Sequence, residues 1–523
     1  MRRIKIFGIL AFCLTIILLV ALILPGCGQP AATGGILHVN VTGPDTNSPG
    51  WPPTQQSGWD TFNTRPICEA LGRFDDKGVP QPFLAESWST DVAGKSVTLK
   101  LKKGIKFHDG TDFNAAAVKW NWEQYIAAKR PEFPKTTSID IVDDYTLKVN
   151  MEKWDNTILT AFCLYPPSYV SPTAFKNAPG ADDKAKIEYM LKNPVSTGPF
   201  LMADWQRGTK DVYKKNPNYW QTGKPYVDGI EITFIPDPLV ASAAFQAKEI
   251  DAWHMPPPAS AKSLKDAGQP LFAQPTVTGL WQNWLIPNTV NKSLPFQDVR
   301  VRQAMAYAID SKAICDGVWM GYATVSNQYA LPGTPWYNND VKGYPFNLDK
   351  AKQLMAEAGF ANGFKTKINT LNRPTDTLMA TAVQGMLAKI NITCEVEPVD
   401  TSRFSILVPG TWEGMLIPGM QLLADPALRW SATLRTGGYM YANGMMHTAE
   451  LDQLIDEARS VPTLEEKQAK IRAAQKVFFD KECIGIPIAA QTAVVARQTY
   501  VKDDGIMKGD QVLWNPESAR LEK

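Results

Sequence analysis

The chain opens with one long apolar run and then settles into short strand-like and longer helix-like patterns that take turns. Residues 6–24 are almost wholly apolar behind the cationic start Met1-Arg2-Arg3-Ile4-Lys5. From residue 36 onward the hydrophobic positions recur at every second residue, the strand period, or at every third to fourth, the helix period. Residues 36–41 make a β-type run closed by the turn residues Thr42-Gly43-Pro44-Asp45. Val97-Thr98-Leu99-Lys100-Leu101-Lys102 alternates cleanly after the turn sequence at 91–95, which predicts a hairpin arm, and 145–150 alternates in the same way. Asn114 is placed to cap a helix over 115–128, because its side-chain oxygen can accept from the free amides of the first turn.

Further along, a polar helix is predicted around 182–191 and a strand from Thr197-Gly198-Pro199-Phe200 toward Trp205. A strand over 230–235 and an Ala-rich helix over 239–248 lead into Glu249-Ile250-Asp251. Asp298 and Asn347 cap helices over 299–309 and 348–358, the second closed by Gly359. Strand 366–370, helix 377–389 and strand 393–399 make a βαβ unit, and 448–458 and 464–480 are amphipathic helices. Strand, helix and strand in succession is the α/β pattern.

The apolar run at the N-terminus reads as an export signal. A permanent spanning helix is the alternative, since the run approaches the roughly 20 residues a bilayer needs. Leu24-Pro25-Gly26-Cys27 resembles the bacterial lipobox, although Pro25 stands where a small residue is usual. That resemblance makes 1–26 a lipoprotein signal peptide and Cys27 the lipidated first residue of the mature chain, with 27–35 as a flexible tether. Losing Arg2, Arg3 and Lys5 lowers the formal charge of +2 by three, to −1, so no basic surplus remains to hold nucleic acid. The body of about 490 residues exceeds what one core normally supports, and two or more lobes are expected. Cys68, Cys163, Cys315, Cys394 and Cys483 show neither CxxC nor zinc spacing and read as buried small hydrophobes.

Eight motifs follow one another through the chain. They are Glu69-Ala70-Leu71-Gly72-Arg73-Phe74-Asp75, Pro82-Phe83-Leu84-Ala85-Glu86-Ser87-Trp88, the run from Leu101 to Thr111, Ser196-Thr197-Gly198-Pro199-Phe200, Asn216-Pro217-Asn218-Tyr219-Trp220, Glu249-Ile250-Asp251, the run from Phe296 to Ala304, and Gly485-Ile486-Pro487-Ile488. In this order they resemble the extracellular solute-binding proteins that serve ABC importers for oligopeptides, dipeptides and nickel. The resemblance implies an α/β, two-lobed periplasmic-binding-protein fold with an extra domain inserted in the first lobe. Lobe one falls at 36–68, 181–280 and 486–523, the insert at 69–180 and lobe two at 281–485. It also implies a monomer outside the cytoplasm, in the periplasm or at the cell surface. Such a receptor closes on a small organic solute, hands it to the permease subunits of an importer, holds to the membrane by its lipid, and needs no cofactor.

In peptide-binding relatives an aspartate three residues before an Asp-Pro step holds the peptide's amino terminus. Leu422 stands at that position here, ahead of Asp425-Pro426, so that Asp425 or another acid has to substitute if a free-amine peptide is the ligand. Arg429 offers a fork suited to an anion. Trp281, Trp284, Trp412, Trp430 and Tyr441 fall in segments expected at the cleft, where rings stack on ligands, although each is also a candidate for the core. Asn443 matches a family element, and Asp45 and Asn47 follow the first strand, a usual place for ligand-facing polar groups.

His108-Asp109 invites a catalytic reading, but turn chemistry accounts for it better. Gly94-Lys95-Ser96 mimics the end of a phosphate loop, yet Ser89 replaces its first glycine. Arg300 and Arg302 are expected to be paired structurally. Neither GxSxG nor HExxH is present, which weighs against a secreted hydrolase. A sensory or chaperone-like binding protein without a transporter is the other alternative.

Overall fold

The computed structural model describes residues 34–41, 50–54, 60–75, 78–130, 133–164, 168–274, 281–506 and 514–522. The signal segment, Cys27, Asp45 and Asn47 lie outside the described residues. Two seven-stranded sheets and a smaller four-stranded one organise the chain. The first has the order Leu271–Gln274, Ala493–Arg497, Ala252–His254, Ile36–Val41, Gly229–Thr233, Lys210–Lys215 and Phe200–Gln206. Its three central strands, beginning with Ile36–Val41, run parallel. Helix Pro238–Gln246, capped by Asp237, links two of them.

The second sheet runs Ala323–Thr324, Ile486–Gln491, Trp281–Pro287, Met415–Ile417, Phe364–Leu371 and Ile392–Val399, with Gly419–Gln421 also paired to Trp281–Pro287. Phe364–Leu371 is parallel to both Ile392–Val399 and Met415–Ile417. Helix Pro374–Ala388 makes the crossover expected of a βαβ unit. The third sheet, Ala85–Asp91, Ser96–Leu101, Thr146–Met151 and Thr136–Asp143, is antiparallel and lies within 69–180. Its alternation is visible in the burial: Val97, Leu99, Leu101, Leu147, Val149 and Met151 face a core beneath helix Ala115–Ala127, while Lys100 points to solvent. Asn114 caps that helix by accepting from the Ala117 amide at 3.0 Å.

Strand Ile486–Gln491, expected to open the segment returning to the first lobe, pairs instead with Trp281–Pro287 in the second sheet. The chain re-enters the first sheet one residue later, with Ala493–Arg497, so the return begins near Thr492 rather than at 486. This crossing orders everything around it. Val495 lies opposite His254, and Trp281 lies opposite Gln421. The carboxyl ends of the parallel strands in both sheets therefore point toward the same crossing, the position at which open α/β sheets receive ligands.

Among the described residues, Cys68, Cys163, Cys315, Cys394 and Cys483 are buried and free.

Candidate functional site at the lobe crossing

The motif residues converge on scaffold rather than on chemistry. Glu69 is buried and its two oxygens accept from the Tyr219 hydroxyl at 2.6 Å, the Thr197 hydroxyl at 2.9 Å and the Trp220 indole at 2.9 Å. Arg73 lies 3.8 Å from Glu69 but 2.5 Å from Glu517 near the C-terminus. The guanidinium thus serves Glu517 first. Burial consequently dominates at Glu69 and pushes its carboxyl up to about 7, whereas Glu517 is held below the usual range by Arg73 against the opposing effect of burial. Three motifs, the first more than a hundred residues ahead of the other two, meet in this one network.

The catalytic look-alikes resolve the same way. His108 Nε2 donates to the Gly198 carbonyl at 3.0 Å while Nδ1 accepts from the Ser196 amide at 3.3 Å, and burial pushes the imidazole down to about 4. Asp109 accepts from Thr111 and Ser171. Gly94 and Lys95 close a hairpin in which the Gly94 amide donates to Asp91. Arg300 pairs with Asp298 at 2.6 Å. Buried Arg302 donates to the carbonyls of Phe296, Gln297, Glu482 and Cys483.

At the crossing itself, the loop after strand Met415–Ile417 carries the second-lobe candidates. Leu422 is 3 % exposed and packs in an apolar cluster with Trp412, Trp430 and Tyr441. Asp425 is 2 % exposed, and its carboxylate is already occupied. It caps helix Pro426–Thr433 by accepting from the Ala427 amide at 3.0 Å, accepts from the Thr160 hydroxyl at 2.8 Å, and pairs with Lys467. This corrects the expectation that Asp425 substitutes as a ligand-facing acid. Trp284 is likewise core: it is fully buried against Tyr329, Phe478 and Phe479, with its indole donating to Gln282 at 2.6 Å.

Four candidates do come together. Trp412 packs edge-on to Tyr441 with ring centroids 6.5 Å apart. Tyr441 sits in the left-handed region at φ 60° and is buried; burial pushes its phenol up while Arg429 opposes the shift. Arg429 and Trp430 share the helix that Asp425 caps. Arg429 Nη1 lies 3.7 Å from the Met440 sulfur, and the Arg429 Nε, Trp412 Nε1 and Trp430 Nε1 donors have no acceptor among the described residues. Trp281 is half-buried at the crossing, its ring lying over Gly419, where a Cβ would come within 2.9 Å of it. Asn443 is exposed, and its backbone closes on Gly410.

The first lobe contributes residues the sequence pattern did not single out. His254 ends strand Ala252–His254 with its ring 4.3 Å from Phe62, which lies 6.0 Å from Trp514. Burial pushes this imidazole down to about 3, so it is neutral. The available signal was its position at the end of a strand leaving Glu249-Ile250-Asp251. Val41, Phe62 and Trp514 from the first lobe and Trp412, Tyr441 and Met445 from the second belong to one continuous apolar cluster, through which the lobes meet.

Two α/β lobes joined by chain crossings, with their strand carboxyl ends facing a shared aromatic cluster, define a bilobal binding protein. The chain belongs to family 5 of the bacterial extracellular solute-binding proteins, whose middle-region model matches residues 79–423. Heme-binding protein A of Haemophilus influenzae is 30% identical over 456 residues, which cover 81% of this chain and 81% of that protein. Glutathione-binding protein GsiB of Escherichia coli strain K12 is 28% identical over 448 residues, covering 81% and 83%. Among solved structures, DppA of Helicobacter pylori in complex with the peptide STSA superposes with a TM-score of 0.81 at 24% identity, over 94% of this chain and 99% of that one. NikA of Brucella suis in complex with Fe(III)-EDTA gives 0.80 at 22% identity, over 92% and 99%. The chain is thus an extracytoplasmic receptor that binds a solute between two lobes and delivers it to an ABC importer.

Proposed function

We propose that the solute is a small organic molecule bearing an acidic group, that free-amine peptides are poor ligands, and that the receptor is anchored by lipid at Cys27. One observation carries the ligand reading: at the position where an amine-pairing acid would sit, Leu422 is apolar and buried, and the adjacent acid, Asp425, is consumed by a helix cap, Thr160 and Lys467. An ammonium enclosed there without a counter-charge costs several kcal/mol. The donors around Leu422 favour the opposite charge. Arg429 with the indoles of Trp412 and Trp430 supplies N–H groups, and His254 across the cleft is neutral. Haem, which names one of the relatives, bears carboxylates and no amine.

Titration with unblocked dipeptides to hexapeptides, glutathione among the unblocked peptides, and with haemin as an acidic solute without an amine, followed by tryptophan fluorescence, tests the reading. Tight binding of unblocked peptides that disappears on amino-terminal acetylation would sink it. For whichever acidic solute binds, Arg429→Met is expected to weaken binding by about ten- to a hundredfold, the loss of one charge-assisted hydrogen-bonded contact. Cys27→Ala should release the signal-cleaved protein from membranes. Retention after cleavage contradicts the anchor.

A further inference from the structure

We infer that the inserted domain is a latch that holds the two lobes together through a polar patch at residues 155–160. The insert is keyed to the first lobe. Glu69 binds Thr197, Tyr219 and Trp220, Arg73 pairs with Glu517, and His108 is tied to Ser196 and Gly198. Through residues 155–160 it also grips the second lobe. Asp155 pairs with Arg459, and the Asn156 backbone amide donates to the Arg459 carbonyl at 2.8 Å. The Asn156 side chain donates to the carbonyls of Ala458 at 2.9 Å and Val461 at 3.0 Å, satisfying groups left over at the end of helix Ala449–Ser460. Thr160 reaches Asp425 at 2.8 Å.

The grip is desolvated as well as polar. Asp155, Asn156, Thr160 and Asp425 are all buried, and Ala424 and Leu428 of the second lobe belong to the insert's own apolar cluster. The second lobe connects to the first through two chain crossings, between Gln274 and Trp281 and at Thr492, so the lobes separate only if this patch parts. Asp425 also caps the helix that bears Arg429 and Trp430, so the grip ends on the helix that faces the cleft. A latch of this kind sets how much of the ligand-free protein is closed, and hence its apparent affinity, through contacts that never touch the solute.

The test uses the ligand-free protein. Exchange of the Asn156 amide reports engagement directly, small-angle scattering reports lobe separation, and amides of strands Ser96–Leu101 and Thr146–Met151 report whether the insert stays folded. Arg459→Ala and, independently, Thr160→Val are expected to speed Asn156 exchange about tenfold or more and to enlarge the radius of gyration, with the strand amides unchanged. Pairing Asp155→Arg with Arg459→Asp should restore slow exchange. Unchanged Asn156 exchange and radius in both single variants overturn the inference. Loss of strand protection overturns it too, because the patch would then be part of the insert's fold rather than a latch.

Discussion

Two buried charges show how position, more than residue type, decides what a side chain does here. Glu69 is held near pKa 7 by burial, above the ordinary carboxyl value of 4.5. The unfolded chain therefore ionises first as pH rises, and the Glu69 contribution to stability falls between about pH 4.5 and 7 and is flat above. Glu69→Gln should remove roughly 3 kcal/mol of that fall. Urea midpoints of wild type and variant across pH 4.5–8 measure the difference, which cancels other titrating groups. A parallel result in both proteins would refute the assignment. Arg302→Met leaves the carbonyls of Phe296, Gln297, Glu482 and Cys483 without their donor, and a loss of about 3 kcal/mol or more is expected in the same assay. That Arg302 is structural was readable from its place in a helical motif. That Asp425 is structural was not, because its partners Thr160 and Lys467 lie 265 and 42 residues away.

Elements were legible wherever one face is solvated. Asn114, Asp182, Asp298, Asn347 and Thr448 each cap the helix they were expected to start, or stand at its head, because a free first-turn amide needs an acceptor wherever the helix sits. The hairpin strands of the insert alternate because only one of their faces is buried. Strands Trp281–Pro287 and Ala493–Arg497 were not legible, since they are buried almost throughout and alternation disappears when both faces are covered. Trp284 was consequently indistinguishable in sequence from a cleft residue. Helix Leu464–Gln475 begins with a reciprocal cap in which Thr463 and Glu466 satisfy each other's amides. Thr463→Ala should cost about 1 kcal/mol by thermal or urea unfolding, and no measurable loss would mean that packing alone fixes the start of this helix.

For the whole molecule, the order of the motifs disclosed the family, but the contacts that join the lobes could not be read from it. Asp155 meets Arg459 across 304 residues, and no local pattern marks either as a partner. The five cysteines, by contrast, were read from their spacing as buried small hydrophobes, and they are buried and free. Burial pushes Cys315 up to about 11, Cys394 and Cys483 up to about 12, and Cys163 higher still. At pH 7 a thiol of pKa 12 is ionised to about one part in a hundred thousand, and the thiolate is the form that oxidises. Outside the cytoplasm, where disulfides form readily, the native fold therefore acts as the reductant-free shelter of its own thiols. Iodoacetamide should leave Cys163, Cys315, Cys394 and Cys483 unmodified until the protein is unfolded. The exposed moment comes earlier, before the chain has folded, when these side chains are accessible together, so that outside the cytoplasm folding has to outrun their random cross-linking.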